Sequence, residues 1–156
     1  MQIKLIAVGE KMPAWVKDGC AEYLKRLTSS NIKITIIETP VAKRTKNSNI
    51  KKLMEQEAKA ILEKLSPSDY IIVLDPKGKL ISTESLAEKI DCWQQYNPNI
   101  AIIIGGPDGI DINIKNMSKE KISLSKMTFP HPIVRVVLIE QIYRSWTILK
   151  RHPYHK

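Results

Sequence analysis

Apolar residues fall along this chain in two alternating rhythms. Short runs of consecutive or every-other apolar residues mark strands, and stripes that recur every three or four residues mark helices. The clearest run is residues 100–104, Ile-Ala-Ile-Ile-Ile, which reads as a strand buried on both faces and hence as part of a parallel sheet covered by helices. Residues 2–8, 32–38, 70–74 and 121–124 give four further strands. Val16, Cys20, Tyr23, Leu24 and Leu27 line one face of a helix opening at Pro13; Ile50, Leu53, Ala58, Ile61, Leu62 and Leu65 line another that opens at Ser48. A third helix, capped by Ser82 or Thr83, turns Leu86, Ile90 and Trp93 inward, and a short fourth runs from Gly109 to about Met117. The last, over 133–150, carries apolar residues nearly all round. One sheet in so small a protein cannot cover all of it, so a second copy in a symmetric homodimer is the expected cover.

Strands alternating with helices predict a single α/β domain over residues 1–156, built on a mostly parallel sheet flanked by helices. Ligands of such sheets bind beyond the carboxyl ends of the strands. Three segments are expected there: 74–79, whose Asp75-Pro76-Lys77-Gly78-Lys79 reads as a turn, then 105–109, Gly-Gly-Pro-Asp-Gly, and 124–131. Side by side they make a pocket of backbone amides, glycine and apolar side chains, which suits adenosine better than a triphosphate. No Gly-Lys-Ser/Thr follows the glycines and no second glycine pair stands at dinucleotide spacing, so neither a P-loop nor a nicotinamide site is supported. Gly-x-Ser-x-Gly is absent, and Cys20 and Cys92 lie far apart, which argues against serine hydrolase chemistry, a disulfide framework or a metal knuckle. No apolar run approaches the roughly 20 residues of a membrane span. The expectation is a cytoplasmic protein without a metal.

Charge narrows the partner. Lys and Arg number 25 against 16 Asp and Glu, a net charge of +9, which favours an anionic partner and nucleic acid foremost. Lys43, Arg44, Lys46, Lys51 and Lys52 gather in and beside the loop at 40–49, where they are expected to contact phosphates. The carboxyl end, Arg151-His152-Pro153-Tyr154-His155-Lys156, mixes cations, an aromatic ring and a stiffening proline, a combination suited to an unpaired base and its phosphates. His131, between two prolines, stands beside the third segment. Glu140 and Arg144, at i and i+4, either pair with each other or leave Arg144 to orient a substrate at the pocket mouth.

Leu74-Asp75 with Gly78-Lys79, then 105–109, 124–131, Glu140-Gln141-Ile142-Tyr143-Arg144 and Pro153-Tyr154-His155-Lys156 together resemble the ribosomal RNA large subunit methyltransferase H family. The resemblance covers the whole chain, including Val8-Gly9-Glu10-Lys11-Met12-Pro13; Ser145 stands where many members have alanine. It implies a SPOUT-type α/β fold with a C-terminal trefoil knot, a homodimer, and methylation of N3 of a pseudouridine in the 23S rRNA of the ribosome from S-adenosylmethionine. The family's cofactor positions carry over to Leu74, Gly105, Leu124, Ser125, Lys126, Met127, Thr128 and Phe129. His131, Arg144, Tyr154 and His155 are the candidates for deprotonating or stabilising the base, with Arg144 and the tail supplied across the dimer. The mechanism expected is direct in-line transfer, accelerated by holding donor and acceptor in near-attack geometry. The competing reading is a non-catalytic ribosome- or RNA-binding protein that keeps the pocket for another nucleoside.

Overall fold

The computed structural model describes residues 1–155, except for the side chain of His155, so the roles expected of that imidazole and of Lys156 lie outside the described residues. Strands β1 (Gln2–Val8), β2 (Lys33–Thr39), β3 (Tyr70–Leu80), β4 (Asn99–Ile104) and β5 (Glu120–Ser123) alternate with helices α1 (Ala14–Arg26), α2 (Ile50–Leu62), α3 (Thr83–Tyr96), α4 (Ile112–Met117) and α5 (His131–Leu149). The strand order is β2-β1-β4-β3-β5, with every pair parallel.

The apolar run of β4 explains the layering. Successive strand residues point to opposite faces. Ile100, Ile102 and Ile104 therefore pack with Val16 and Cys20 of α1, Ile90 and Trp93 of α3, and Leu138 and Ile142 of α5. Ala101 and Ile103 pack on the other side with Ala58 and Ile61 of α2 and Ile114 of α4. Both faces are thus closed by helices. Each fully buried isoleucine contributes on the order of 1.5–3 kcal/mol, so this central strand anchors both halves of the core.

Three local features differ from the sequence reading, each for a physical reason. The segment Asp75-Pro76-Lys77-Gly78-Lys79, expected as a turn, belongs to β3, which runs on to Leu80. Its ladder to β5 is irregular, with Ile122 opposite both Leu74 and Lys79. The Lys77 amide donates to Asp75 Oδ1 at 2.9 Å, a local turn folded into the strand before pairing resumes. Helix α2 starts after Asn49, whose side chain accepts from the Lys52 amide, whereas Ser48 folds back on Thr45. Helix α5 begins at His131, with Pro132 in its first turn, where a missing N–H costs nothing.

Helix α5 lies against α1 and α3 and is tied to the sheet by a buried charge. Arg135, 1 % exposed, donates to Glu38 Oε1 at 2.5 Å and to the Gly9 carbonyl at 2.6 Å. The opposite side of α5 stays open: Ile133 is exposed, and Val137 and Ile148 are half-buried. Removing one partner of a buried pair strands the other charge, at a cost of about 3–5 kcal/mol when both are buried. Glu38 is a third exposed, so Glu38→Ala is expected to cost about 2 kcal/mol in urea unfolding.

Candidate active site

Because β4, β3 and β5 are neighbours and parallel, their carboxyl ends lie along one edge of the sheet. The segments that follow them enclose a cavity of about 260 Å³. Leu74, Asp75 and Pro76 come from β3, Gly105, Gly106, Pro107, Gly109 and Ile110 from the turn after β4, and Ser123, Leu124, Ser125, Met127, Thr128, Phe129 and His131 from β5, the segment beyond it and the start of α5. Seven of the eight cofactor positions expected from the sequence line it: Leu74, Gly105, Leu124, Ser125, Met127, Thr128 and Phe129. Lys126 does not; it is exposed beside them. The cavity also takes in residues that motif reading passed over, notably Ile110, Lys115 and Val134.

The glycine turn is constrained from inside and outside. A Cβ on Gly105 would stand 2.3 Å from Ile110 Cγ1 and 2.7 Å from the Gly109 carbonyl, and Gly109 has φ +96°, where L side chains are strained. The Gly109 amide donates to the Gly106 carbonyl at 3.0 Å, closing the turn. From outside, Arg44 grips it. Its Nε and Nη2 donate to Asp108 Oδ2 at 3.0 and 2.8 Å, and its Nη1 to Glu57 Oε1 at 3.1 Å and the Ala42 carbonyl at 2.8 Å. Glu57, 3 % exposed, also accepts from the Ala42 amide at 3.0 Å. Arg44, expected to contact phosphates, is thus spent on fastening the basic loop to the glycine turn.

The third segment holds itself in shape. Ser123 Oγ donates to the Ser125 carbonyl and the Met127 amide donates to Ser125 Oγ, both at 2.9 Å. His131 closes the cavity wall at the start of α5, and its Nδ1 is buried without a hydrogen-bond partner among the described residues. Burial, aided by the Arg135 charge, pushes the imidazole below its ordinary value, while the Gly106 backbone and Glu57 pull weakly the other way. The neutral imidazole is therefore favoured.

Arg144 and Tyr154 stand elsewhere. Thirteen residues separate His131 from Arg144 on α5, a rise of about 20 Å. Neither the Arg144 nor the Tyr154 side chain lines the cavity. Arg144 Nε donates to Glu140 Oε1 at 2.9 Å, its guanidinium lies over the Tyr154 ring at 4.8 Å, and the Tyr154 hydroxyl donates to the same Glu140 oxygen at 3.2 Å. Burial, followed by the hydrogen bond to Tyr23 and the Glu140 charge, raises the Tyr154 phenol well above its usual value. It stays protonated and can act as a donor. Arg26 reaches the same group from α1, 5.7 Å from the Tyr154 ring centre.

Two outcomes follow from this geometry. Gly105→Ala has to displace backbone, so it should abolish small-ligand binding at the cavity, read by calorimetry, and retained binding would contradict the close packing of the turn. A group whose folded value is depressed takes its proton more readily in the unfolded chain. His131 thus contributes its full stability above its ordinary value of 6.5 and loses it as pH falls through the lower folded value. The fall in urea midpoint between about pH 7.5 and pH 5.5 should be smaller in His131→Gln than in the unmodified protein.

No group of three or more His, Cys, Asp or Glu among the described residues is arranged to hold a metal ion, and no helix is long and apolar enough to cross a membrane. Sequence comparison gives the site its context. A family model described as predicted SPOUT methyltransferase matches residues 1–155. The ribosomal RNA large subunit methyltransferase H of Francisella philomiragia is 60 % identical over 156 residues, the whole of both chains. Those of Saccharophagus degradans and Ectopseudomonas mendocina are 48 % and 44 % identical, again over the full length of both. With a parallel sheet whose carboxyl edge carries the cavity, the chain belongs to the SPOUT methyltransferase family.

Proposed function

We propose that this protein transfers a methyl group from S-adenosylmethionine to N3 of a pseudouridine in the 23S rRNA of the large ribosomal subunit. The observation that carries the reading is the cavity itself. Its walls of Ile104, Ile110, Ile122 and Leu124, with the backbone of the glycine turn, suit a flat and weakly charged nucleoside, in a chain that belongs to a methyltransferase family. The names of its full-length relatives supply the rRNA substrate, and the net charge of +9 agrees with it. The buried, unpartnered His131 Nδ1 on the cavity wall marks a polar position that a ligand can satisfy.

S-adenosylmethionine supplies a methyl group on a cationic sulfonium. Leu74, Gly105 and the segment over 124–129 would hold its nucleoside and orient it for transfer. The acceptor nitrogen must shed a proton. His131, held neutral, accepts it, while Arg144 and the protonated Tyr154, with His155, steady the negative charge left on the base. The separation between the His131 and Arg144 ends of α5 means that a complete site needs two chains. A homodimer packed through the open face of α5 supplies them, since antiparallel crossing brings the carboxyl end of one helix beside the amino end of its partner. The exposed Ile133, with the half-buried Val137 and Ile148 along the same face, supports that contact. A C-terminal trefoil knot and a cytoplasmic location complete the reading.

Labelled methyl transfer to ribosomes, isolated large subunits and free rRNA tests the activity; donor binding without transfer to any of them favours a non-catalytic RNA-binding role. Arg144→Ala, or truncation from Pro153, should lower transfer by about 100-fold or more while donor affinity is unchanged. Co-refolding Arg144→Ala with Gly105→Ala should restore roughly a quarter of full activity, because half the dimers then carry one intact shared site. No recovery in the mixture would place all catalytic groups in one chain.

A further inference from the structure

The cavity has one corner unlike the rest. Most of its lining is apolar side chain or glycine backbone, yet Asp75 and Lys115 both face into it and form an ion pair, Nζ to Oδ2, at 2.6 Å. They are the lining residues, among those described, that carry full charge. Strand alternation explains how they meet. Ile72 packs with the α5 side of the core and Val73 with the α4 side, so Asp75, two positions after Val73, turns toward α4, where Lys115 stands in the last turn. Their side chains are 11 % and 26 % exposed, so the pair is sheltered and still reachable.

Both partners keep hydrogen-bonding capacity. Asp75 Oδ1 accepts from the Lys77 amide and Oδ2 from Lys115, which leaves further lone pairs on each oxygen. Lys115 Nζ spends one of three N–H donors on Asp75. Opposite charges side by side in an otherwise apolar cavity match a ligand group that itself carries both signs on neighbouring atoms. A phosphate meets repulsion from Asp75, and a bare nucleoside leaves both charges unanswered.

We infer that Asp75 and Lys115 form a subsite for the zwitterionic α-amino acid end of the methyl donor, with Lys115 facing its carboxylate and Asp75 its ammonium group. The assignment rests on the methyl-donor reading and extends it to residues that the sequence motifs left without a role. It orients the ligand. The amino acid end lies on the α4 side of the sheet edge, which directs the rest of the ligand toward the wall that His131 forms at the start of α5. The pair is a selector for amino-acid-bearing nucleosides over nucleotides.

Calorimetry on the full-length protein tests this with two ligands that share the adenosine and thioether but differ at the end in question. S-adenosylhomocysteine has the amino acid group and 5′-methylthioadenosine lacks it. Lys115→Met and Asp75→Asn should each weaken S-adenosylhomocysteine by about tenfold or more while leaving 5′-methylthioadenosine within about twofold, and Lys115→Arg should recover part of the loss. The second ligand also reports whether a variant is folded. Equal losses for both ligands would make the pair a structural brace and overturn the assignment, as would no loss for either. Failure of both ligands to bind the unmodified protein would instead sink the methyl-donor reading, and this subsite with it.

Discussion

The structure depends on β4 being buried on both of its faces. An Ile-Ala-Ile-Ile-Ile strand finds no solvent side, so helices must cover the sheet front and back. Helices that cross between successive strands carry the chain back to the starting end of the sheet, which keeps the strands parallel. Parallel strands end on the same edge. That one edge then receives everything leaving β3, β4 and β5, which is why a ligand cavity forms there. The chemistry of the site is thus a downstream consequence of where isoleucine sits in one strand.

A second constraint works on the edge itself. A turn made of glycines is permissive, and permissiveness is poor for holding a ligand. Arg44 offsets this from outside the turn: bonded to Asp108 and the buried Glu57, it makes the basic loop a brace instead of a free electrostatic arm. Rigidity and charge come from one residue. The lysines of that loop, Lys43 and Lys46, remain exposed.

Strands and helices were legible in the sequence because each is written in a local period, and the five expected strands form where alternation and apolar runs placed them to within a residue or two, β3 excepted. The extension of β3 was hidden because Asp-Pro-Lys-Gly carries ordinary turn chemistry, and only the partner strand pulls it back into the sheet. The eight positions expected from motif resemblance to hold a cofactor come from three separate segments, and seven of them line one cavity. Glu57 was not legible, since a glutamate on an amphipathic helix reads as a solvated residue until its partners are known. The Arg44–Asp108 contact spans 64 positions and Asp75–Lys115 joins residues of two distant elements, so neither leaves a periodic trace. Long-range polar pairs are invisible to any window that slides along a chain.

Helix α5 carries His131 at its first residue and Arg144 near its last, and between them Leu138, Ile139 and Ile142, all but fully buried in the core. On the proposed reading, the same nineteen residues serve as keel and as tool. A survey of random substitutions along this helix will score many positions as essential for activity when their effect is on folded abundance. Separating the two requires that soluble yield be measured beside turnover for every variant. It also leaves this segment little room to drift in sequence, since a change tolerated by one duty still has to satisfy the other.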